Sequence, residues 1–495
     1  MELKFEKTGW PCLMTAAAHM KNEEQTQEVR LGDHMPDVGR VLGAWGQVLL
    51  RGKEWRGAGM AVSAGVMVWV LYAPEDGTNP QLVETWIPVQ LKWEFPETKH
   101  DGSILVNCQL ASVDARSVSA RKLMVRAVVS AFGEAVVPDL VDVWTPGNVP
   151  EDVQLLKRSY PIRLPREAGE KSFALDEEFA VPVQAEKVLY YTLRPEIMDT
   201  NVVAGKVVFR GVAQLHLLYE DMAGNLKGHD QEFHFSQFAD LDQAYDTDTR
   251  VRVVPAVTNL ELELLSGDQM HMKAGLLGQF VVSDQPMLEV VEDAYGIRRP
   301  VEVHLEQLMI PAELDQNAQT MRLSAEEAME GDRILDAAFL CGQPRIRRDE
   351  NGVTLEQSGV FQVLYESGGE IKGALVHAEG ENRLLAGENS AVQASSLPVG
   401  VPQAVLSNRQ VNLRSDTMVS TLTTSDRGIP MVMSLTLGEM TQADPQRPSM
   451  ILRRCNGQGL WEIAKASGST VDEIIKINQL PGEPEESRLL LIPVL

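Results

Sequence analysis

Apolar residues along this chain alternate with a period closer to two than to 3.6. Val66-Met67-Val68-Trp69-Val70-Leu71-Tyr72 and Val360-Phe361-Gln362-Val363-Leu364-Tyr365 are rich in β-branched and aromatic side chains, which suit a pleated surface, and both are read as strands. Asn351-Gly352 lies between the polar run Arg345 to Arg348 and Val353-Thr354-Leu355. It predicts a tight hairpin, because the favoured two-residue turn needs positive φ at both central positions. Ser367-Gly368-Gly369 predicts a second turn, so this region reads as an antiparallel meander. Helical pattern is scarce before the C-terminus. The best case is Ser324 to Met329, where Ser324 can cap and Glu327 stands three residues on, predicting a short linking helix.

The strand pattern repeats. Val41-Leu42, Val188-Leu189 and Ile334-Leu335 recur at steps of 147 and 146 residues. Thirty residues after each pair comes Leu71-Tyr72, Leu218-Tyr219 or Leu364-Tyr365, followed by Gly77, Gly224 or Gly369. Self-similarity at a fixed period marks a repeated structural unit. The first two copies stay in register further, with Trp86 matching Phe233, Ser119 matching Ser266 and Arg126-Ala127 matching Lys273-Ala274. The third needs deletions around Gln403 to Ser420. The expected class is mainly β: three repeated β-sandwich-like domains at 1–147, 148–312 and 313–440, with turn residues Thr145-Pro146-Gly147 at the first boundary.

After Pro445 and Pro448 the pattern changes. Met450 to Arg453 reads as a strand and Gly457-Gln458-Gly459 as a turn into a helix whose apolar side carries Leu460, Trp461, Ile463 and Ala464. Ser467-Gly468 can end that helix. Thr470 and Glu473 form a capping box for a second one, with Ile474, Ile475 and Ile477 inward. Asn478 to Gly482 stops it, and Leu489 to Pro493 closes a β-α-α-β module over 449–495.

Composition narrows the function classes. The chain has 495 residues, and its 70 acidic against 45 basic residues give a formal net charge of −25. With no basic run interleaved with aromatics, nucleic acid is not an expected partner. No apolar run reaches the roughly 18 residues of a membrane span, and Met1 to Met20 makes a poor signal peptide. Cys12, Cys108, Cys341 and Cys455 are far apart, as thiols in a reducing compartment would be. A cytoplasmic protein is expected.

Gly-x-x-Leu-Trp-x-Ile-Ala-Lys from Gly457, Thr-Val-Asp-Glu-Ile-Ile-Lys-x-Asn-x-Leu from Thr470 and the closing Leu-x-Ile-Pro resemble the LysM family along its whole length. LysM domains pack two short helices on a two-stranded sheet, and many bind N-acetylglucosamine polymers between two loops. Carried over, those loops are Gly457, Gln458, Gly459 and Leu460, and Ile477, Asn478, Gln479, Leu480 and Pro481. Gly457-Gln458-Gly459 stands where the family usually has Gly-Asp-Thr, and Glu486-Ser487-Arg488 replaces the usual Gly-Gln. The Val-Leu starts, Gly211 to Tyr219, Phe233 to Ser236 and Glu292 to Tyr295 resemble SPOCS domains. Tandem SPOCS domains ahead of a C-terminal LysM resemble the SipL-type spore-coat morphogenetic family of spore-forming Firmicutes. That resemblance implies an adaptor on the mother-cell side of the forespore, with the LysM holding the basement-layer ATPase SpoIVA and other coat proteins. A peptidoglycan or other glycan ligand is the alternative.

No catalytic residue, metal ligand or cofactor site is assigned. His216, His229 and His234, with Asp230 or Glu232, lie in one hairpin-sized stretch, but no pair has ligand spacing; a hydrolase using His229 or His234 is the remaining enzyme reading. Nucleophile elbows, Walker-type loops and HExxH pairs are lacking. The repeated Leu-Tyr pairs and Trp461 are read as packing residues, and Glu23-Glu24 and Glu483 to Glu486 as solvated surface.

Overall fold

The computed structural model describes residues 1–77, 79–246, 248–350, 352–384, 390–441, 448–482 and 488–495. Strands dominate it, so the chain is mainly β. β1 (Glu2–Lys4) precedes six longer strands: β2 (Glu6–Arg30), β3 (Val38–Trp55), β4 (Gly59–Pro74), β5 (Gln81–Glu94), β6 (Ser103–Ser119) and β7 (Lys122–Thr145). The six pair antiparallel as two sheets, β3-β4-β5 and β2-β7-β6.

Next come β8 (Val153–Pro161), β9 (Leu164–Ala180), β10 (Ala185–Val203), β11 (Lys206–Asp221), β12 (Leu226–Asp240), β13 (Arg250–Ser266), β14 (Gln269–Asp284) and β15 (Met287–Gly296). They form β10-β11-β12, β13-β14-β9 and the ribbon β15-β8. The last set is β16 (Val301–Ala328), β17 (Arg333–Cys341), β18 (Arg345–Asp349), β19 (Gly352–Ser367), β20 (Glu370–Leu384), β21 (Ala391–Ser407) and β22 (Gln410–Leu437). β17 and β18 both pair with β19, which pairs with β20, while β16 and β21 flank β22. One pairing scheme therefore occurs three times, each with its own buried apolar cluster between two meanders, around Val66 and Val125, Phe209 and Met272, and Phe361 and Leu413; in the third set a bridge between Ser324 and Glu379 joins the two into one sheet.

Two expectations are corrected. Ser324 to Ala328 is the end of strand β16 rather than a helix, paired residue by residue with Gln410 to Arg414 of β22. Met321 and Leu323 are buried while Arg322 and Ser324 are exposed, so the period there is two and tertiary pairing overrides a local capping signal. A boundary between 312 and 313 falls inside β16, which pairs with β22 from Val301 onward. Asn351 and Pro445 lie outside the described residues. Gly352 takes φ 118° and pairs with Asp349 at the start of the β18-β19 hairpin.

The three sets close into a ring. β13 packs on β3, β6 on β17 and β21 on β10, a cyclic order in which each set gives one face to the next. At the centre the periodic residues meet: Leu42, Leu71, Leu189, Leu218 and Leu364 share one cluster with Trp45, Trp69 and Tyr190, and Leu335 packs against it. Trp45 stacks on Tyr190 with centroids 4.8 Å apart and planes 11° from parallel. Such a pair contributes roughly 0.5–1.5 kcal/mol beyond area burial.

Ring closure buries sheet edges, since β3, β6, β10, β13, β17 and β21 each end a sheet or meander. Buried and half-buried amides from neighbouring sets take up the exposed backbone groups. Gln279, 0 % exposed, accepts from Val106 N (3.0 Å) and donates to Val106 O (2.9 Å). Gln362 donates to Ala44 O (2.5 Å) and Val113 O (3.0 Å). Gln343 donates to Asn107 O (3.1 Å), Asn107 donates to Ser396 O (3.0 Å), and Gln47 accepts from Leu193 N (2.9 Å). Beyond the ring the outer halves of three two-stranded ribbons form a further shared cluster. Cys12 and Val141 come from the first set, Ile162 and Leu288 from the second, and Ile310 and Met431 from the third.

Gln279→Leu keeps the volume and removes both partners of Val106. Each orphaned buried group costs roughly 1–3 kcal/mol, so the denaturation midpoint of the full chain should fall well below that of a control at an exposed position such as Gln307→Leu.

Candidate partner-binding site

The C-terminal module contains β23 (Met450–Arg454), α1 (Leu460–Ser467), α2 (Val471–Asn478) and β24 (Leu489–Pro493), with β23 antiparallel to β24. Leu460, Ile463, Ala464, Ile474, Leu480, Leu490 and Ile492 form its core. Gly468 leaves α1 with φ 63°, a conformation glycine adopts without steric cost. Thr470 Oγ1 accepts from Glu473 N at 3.2 Å and caps α2.

The residues singled out for partner contact divide in two. Leu460 and Leu480 are buried in the module core, which brings both loops onto one cluster. Gly457, Gln458, Gln479 and Pro481 are exposed, and Gly459 and Ile477 half-buried. Gly457 (φ 76°) and Gln479 (φ 49°) both take left-handed backbone. Asn478 is committed to the fold: its side chain accepts from Leu491 N (2.8 Å) and donates to Leu491 O (2.6 Å) and Ile474 O (2.9 Å). Gln458 Oε1 accepts from Arg453 (2.6 Å). Glu483 to Glu486 and Ser487 lie outside the described residues. Between the strands, Met450, Leu452, Leu489 and Leu491 alternate outward and are exposed, an apolar face not apparent from the loop resemblance.

Trp461 is half-buried, and what it packs on is another part of the chain. Its Nε1 donates to Asp293 Oδ2 at 2.8 Å, its ring meets Tyr295 edge-on at 4.8 Å, and Lys465 Nζ pairs with the same carboxylate at 2.7 Å. Tyr295 Oη donates to Ser469 O at 2.8 Å. Helix α1 is thus docked on β15. Glu292 to Tyr295 stood out in the sequence, but nothing in its pattern tied it to Trp461, since pairing across 168 positions leaves no local signal.

The histidine group is dispersed by the pleat. His216 faces Asp230 across β11 and β12, whereas His229 pairs with Leu217 and so points to the opposite side. His234 is four residues, roughly 13 Å, along from Asp230. Among the described residues no group of three or more His, Cys, Asp or Glu side chains is arranged to hold a metal. His216 is instead an interface ion: Nδ1 lies 2.9 Å from Asp230 and Nε2 3.1 Å from both Asp336 and Tyr190 Oη. Burial opposes its charge, but Asp336 and Asp230 outweigh burial and raise its pKa to about 10. Burial also pushes the Cys108 and Cys341 thiols up to about 12, so both stay protonated and inert. No helix among the described residues is long and apolar enough to cross a membrane.

Two outcomes follow. Because the pKa of His216 is raised above its unfolded value near 6.5, its stabilisation is full below that pH and is lost as pH rises through about 10. Melting temperatures from pH 6.5 to 10 should therefore fall more steeply for wild type than for His216→Gln. Asp293→Ala removes the shared acceptor of Trp461 and Lys465. Hydrogen exchange in α1 should speed up by about tenfold or more, with β3 to β5 unchanged.

Residues 184–265 match the family model described as SipL, SPOCS domain; the segment covers β10 to β12 and nearly all of β13. No curated protein matches the chain.

Proposed function

We infer that this protein is a non-enzymatic adaptor of spore-coat assembly. Three SPOCS-like units form a scaffold, and the C-terminal module, read as a LysM domain, holds a coat protein of the basement-layer ATPase class, SpoIVA. The observation that carries the reading is the match of residues 184–265 to the SPOCS domain model, because that domain belongs to sporulation coat proteins. Residues 184–265 fall in the second of three sets sharing one strand-pairing scheme. This supports extending the assignment to the other two.

Two features favour a protein over a glycan as the module's ligand. The first loop lacks the family's usual Asp and Thr, and Gln458 is occupied by Arg453. The outward Met450, Leu452, Leu489 and Leu491 offer apolar contact of a kind that protein interfaces use. A module this small makes a modest interface, so a polymerised partner would raise the apparent affinity through multivalency. The mother-cell cytoplasm around the forespore is the compartment this reading requires.

The test is co-purification of the full chain with the coat ATPase alongside retention on purified peptidoglycan. Expected are ATPase capture and no glycan retention, with Leu452→Glu combined with Leu491→Glu lowering capture at least about tenfold. Strong peptidoglycan retention without ATPase capture would assign the module to the cell wall.

A further inference from the structure

The ring does not fill its own axis. A cavity of about 100 Å³ lies where the three sets meet, lined by Gln47, Asn107, Thr192, Arg194, Leu340 and Pro398 among others. The sequence offset makes Gln47, Arg194 and Leu340 equivalent positions, as it does Trp45, Thr192 and Ala338. The pleat puts residues two apart on one side of a strand, so Thr192 and Arg194 share the face turned to the axis.

Arg194 is the only charged residue in this wall. One of its five N–H groups donates to Phe339 O at 2.8 Å, and no carboxylate forms an ion pair with it among the described residues. Asp230, which borders a smaller cavity on its other side, is held by His216. The rest of the axial wall is mostly Pro, Leu, Val and Ala backed by amides already in use: Gln47 holds Leu193 N and Val48 O, and Asn107 and Gln109 hold Ser396 O. The Thr192 hydroxyl has no hydrogen-bond partner among the described residues. A guanidinium fork with spare donors beside a low-dielectric wall is incomplete, and planar or tetrahedral oxyanions match its geometry bidentately. The volume suits an ion rather than a drug-sized molecule.

We propose that the axial cavity is a binding site for one small oxyanion, a phosphate or a carboxylate, held by Arg194 with Thr192 as second donor. Burial works against the charge of Arg194, with Cys341, Tyr190 and Asp230 acting in the opposite sense. A bound anion would add to their effect.

The full chain is titrated with inorganic phosphate and, separately, acetate, at ionic strength held constant with chloride, and followed by thermal stability. Saturable stabilisation by either ion is expected, weakened about tenfold or more in Arg194→Gln, which places there the residue found at position 47. Preference for phosphate or for acetate identifies the source. No saturable response to either ion, or an equal response in wild type and Arg194→Gln, overturns the proposal. Should Arg194→Gln fail to fold, Thr192→Val must weaken binding about threefold; crystals soaked in phosphate must also show density at Arg194, and an empty cavity there refutes the site.

Discussion

An unpaired sheet edge is the constraint around which this molecule is arranged. Each set of strands contains two antiparallel meanders, and each meander ends in a row of backbone donors and acceptors that must find partners or water. Cyclic packing of β13 on β3, β6 on β17 and β21 on β10 takes those edges out of solvent. Regular strand pairing does not continue across the joints. Single glutamine and asparagine side chains supply the missing hydrogen bonds instead, each acting as a short piece of strand. Gln279, which addresses both backbone groups of Val106, shows the device at its clearest.

Because one chain supplies all three sets, equivalent positions around the axis are free to differ. Trp69, His216 and Gln362 occupy one such position, and each donor there is used differently. Trp69 donates to Glu84 (2.8 Å), His216 bridges Asp230 and Asp336, and Gln362 reaches the backbone of β3 and β6. A homotrimer would have to place one residue type three times, so an aspartate facing a histidine at one joint would recur at all three. The strongly negative chain places paired charges at its joints, Glu134 with Arg252 (2.5 Å) among them, where mutual attraction has to offset desolvation.

The repeat period and the strands were legible because apolar alternation and the Val-Leu and Leu-Tyr pairs are local and repeated. The central cluster of Leu42, Leu189, Leu71, Leu218 and Leu364 gives those pairs their packing role. The capping glutamines were not legible, since an isolated Gln in a strand looks like a solvent-facing position until the neighbouring set is in place. The same blindness produced the helix expected at Ser324 to Met329, where a good capping signal lies on a strand whose partner is some 90 residues away. In the C-terminal module the caps at Gly468 and Thr470 were readable because they depend on residues within one turn. The role of Asn478 was not, because its partner lies on the closing strand.

The docking of Trp461 on β15 has a mechanical side. Covalently the module follows β22 of the third set, yet its first helix is pinned to the second through Asp293 and Tyr295. Docking on a second set restrains how the module turns against the ring, and with it the bearing of the exposed loops and apolar strand face. A load applied to that face would pass into the ring as shear along the ribbon β8-β15, across its whole ladder of hydrogen bonds, rather than peeling them one at a time.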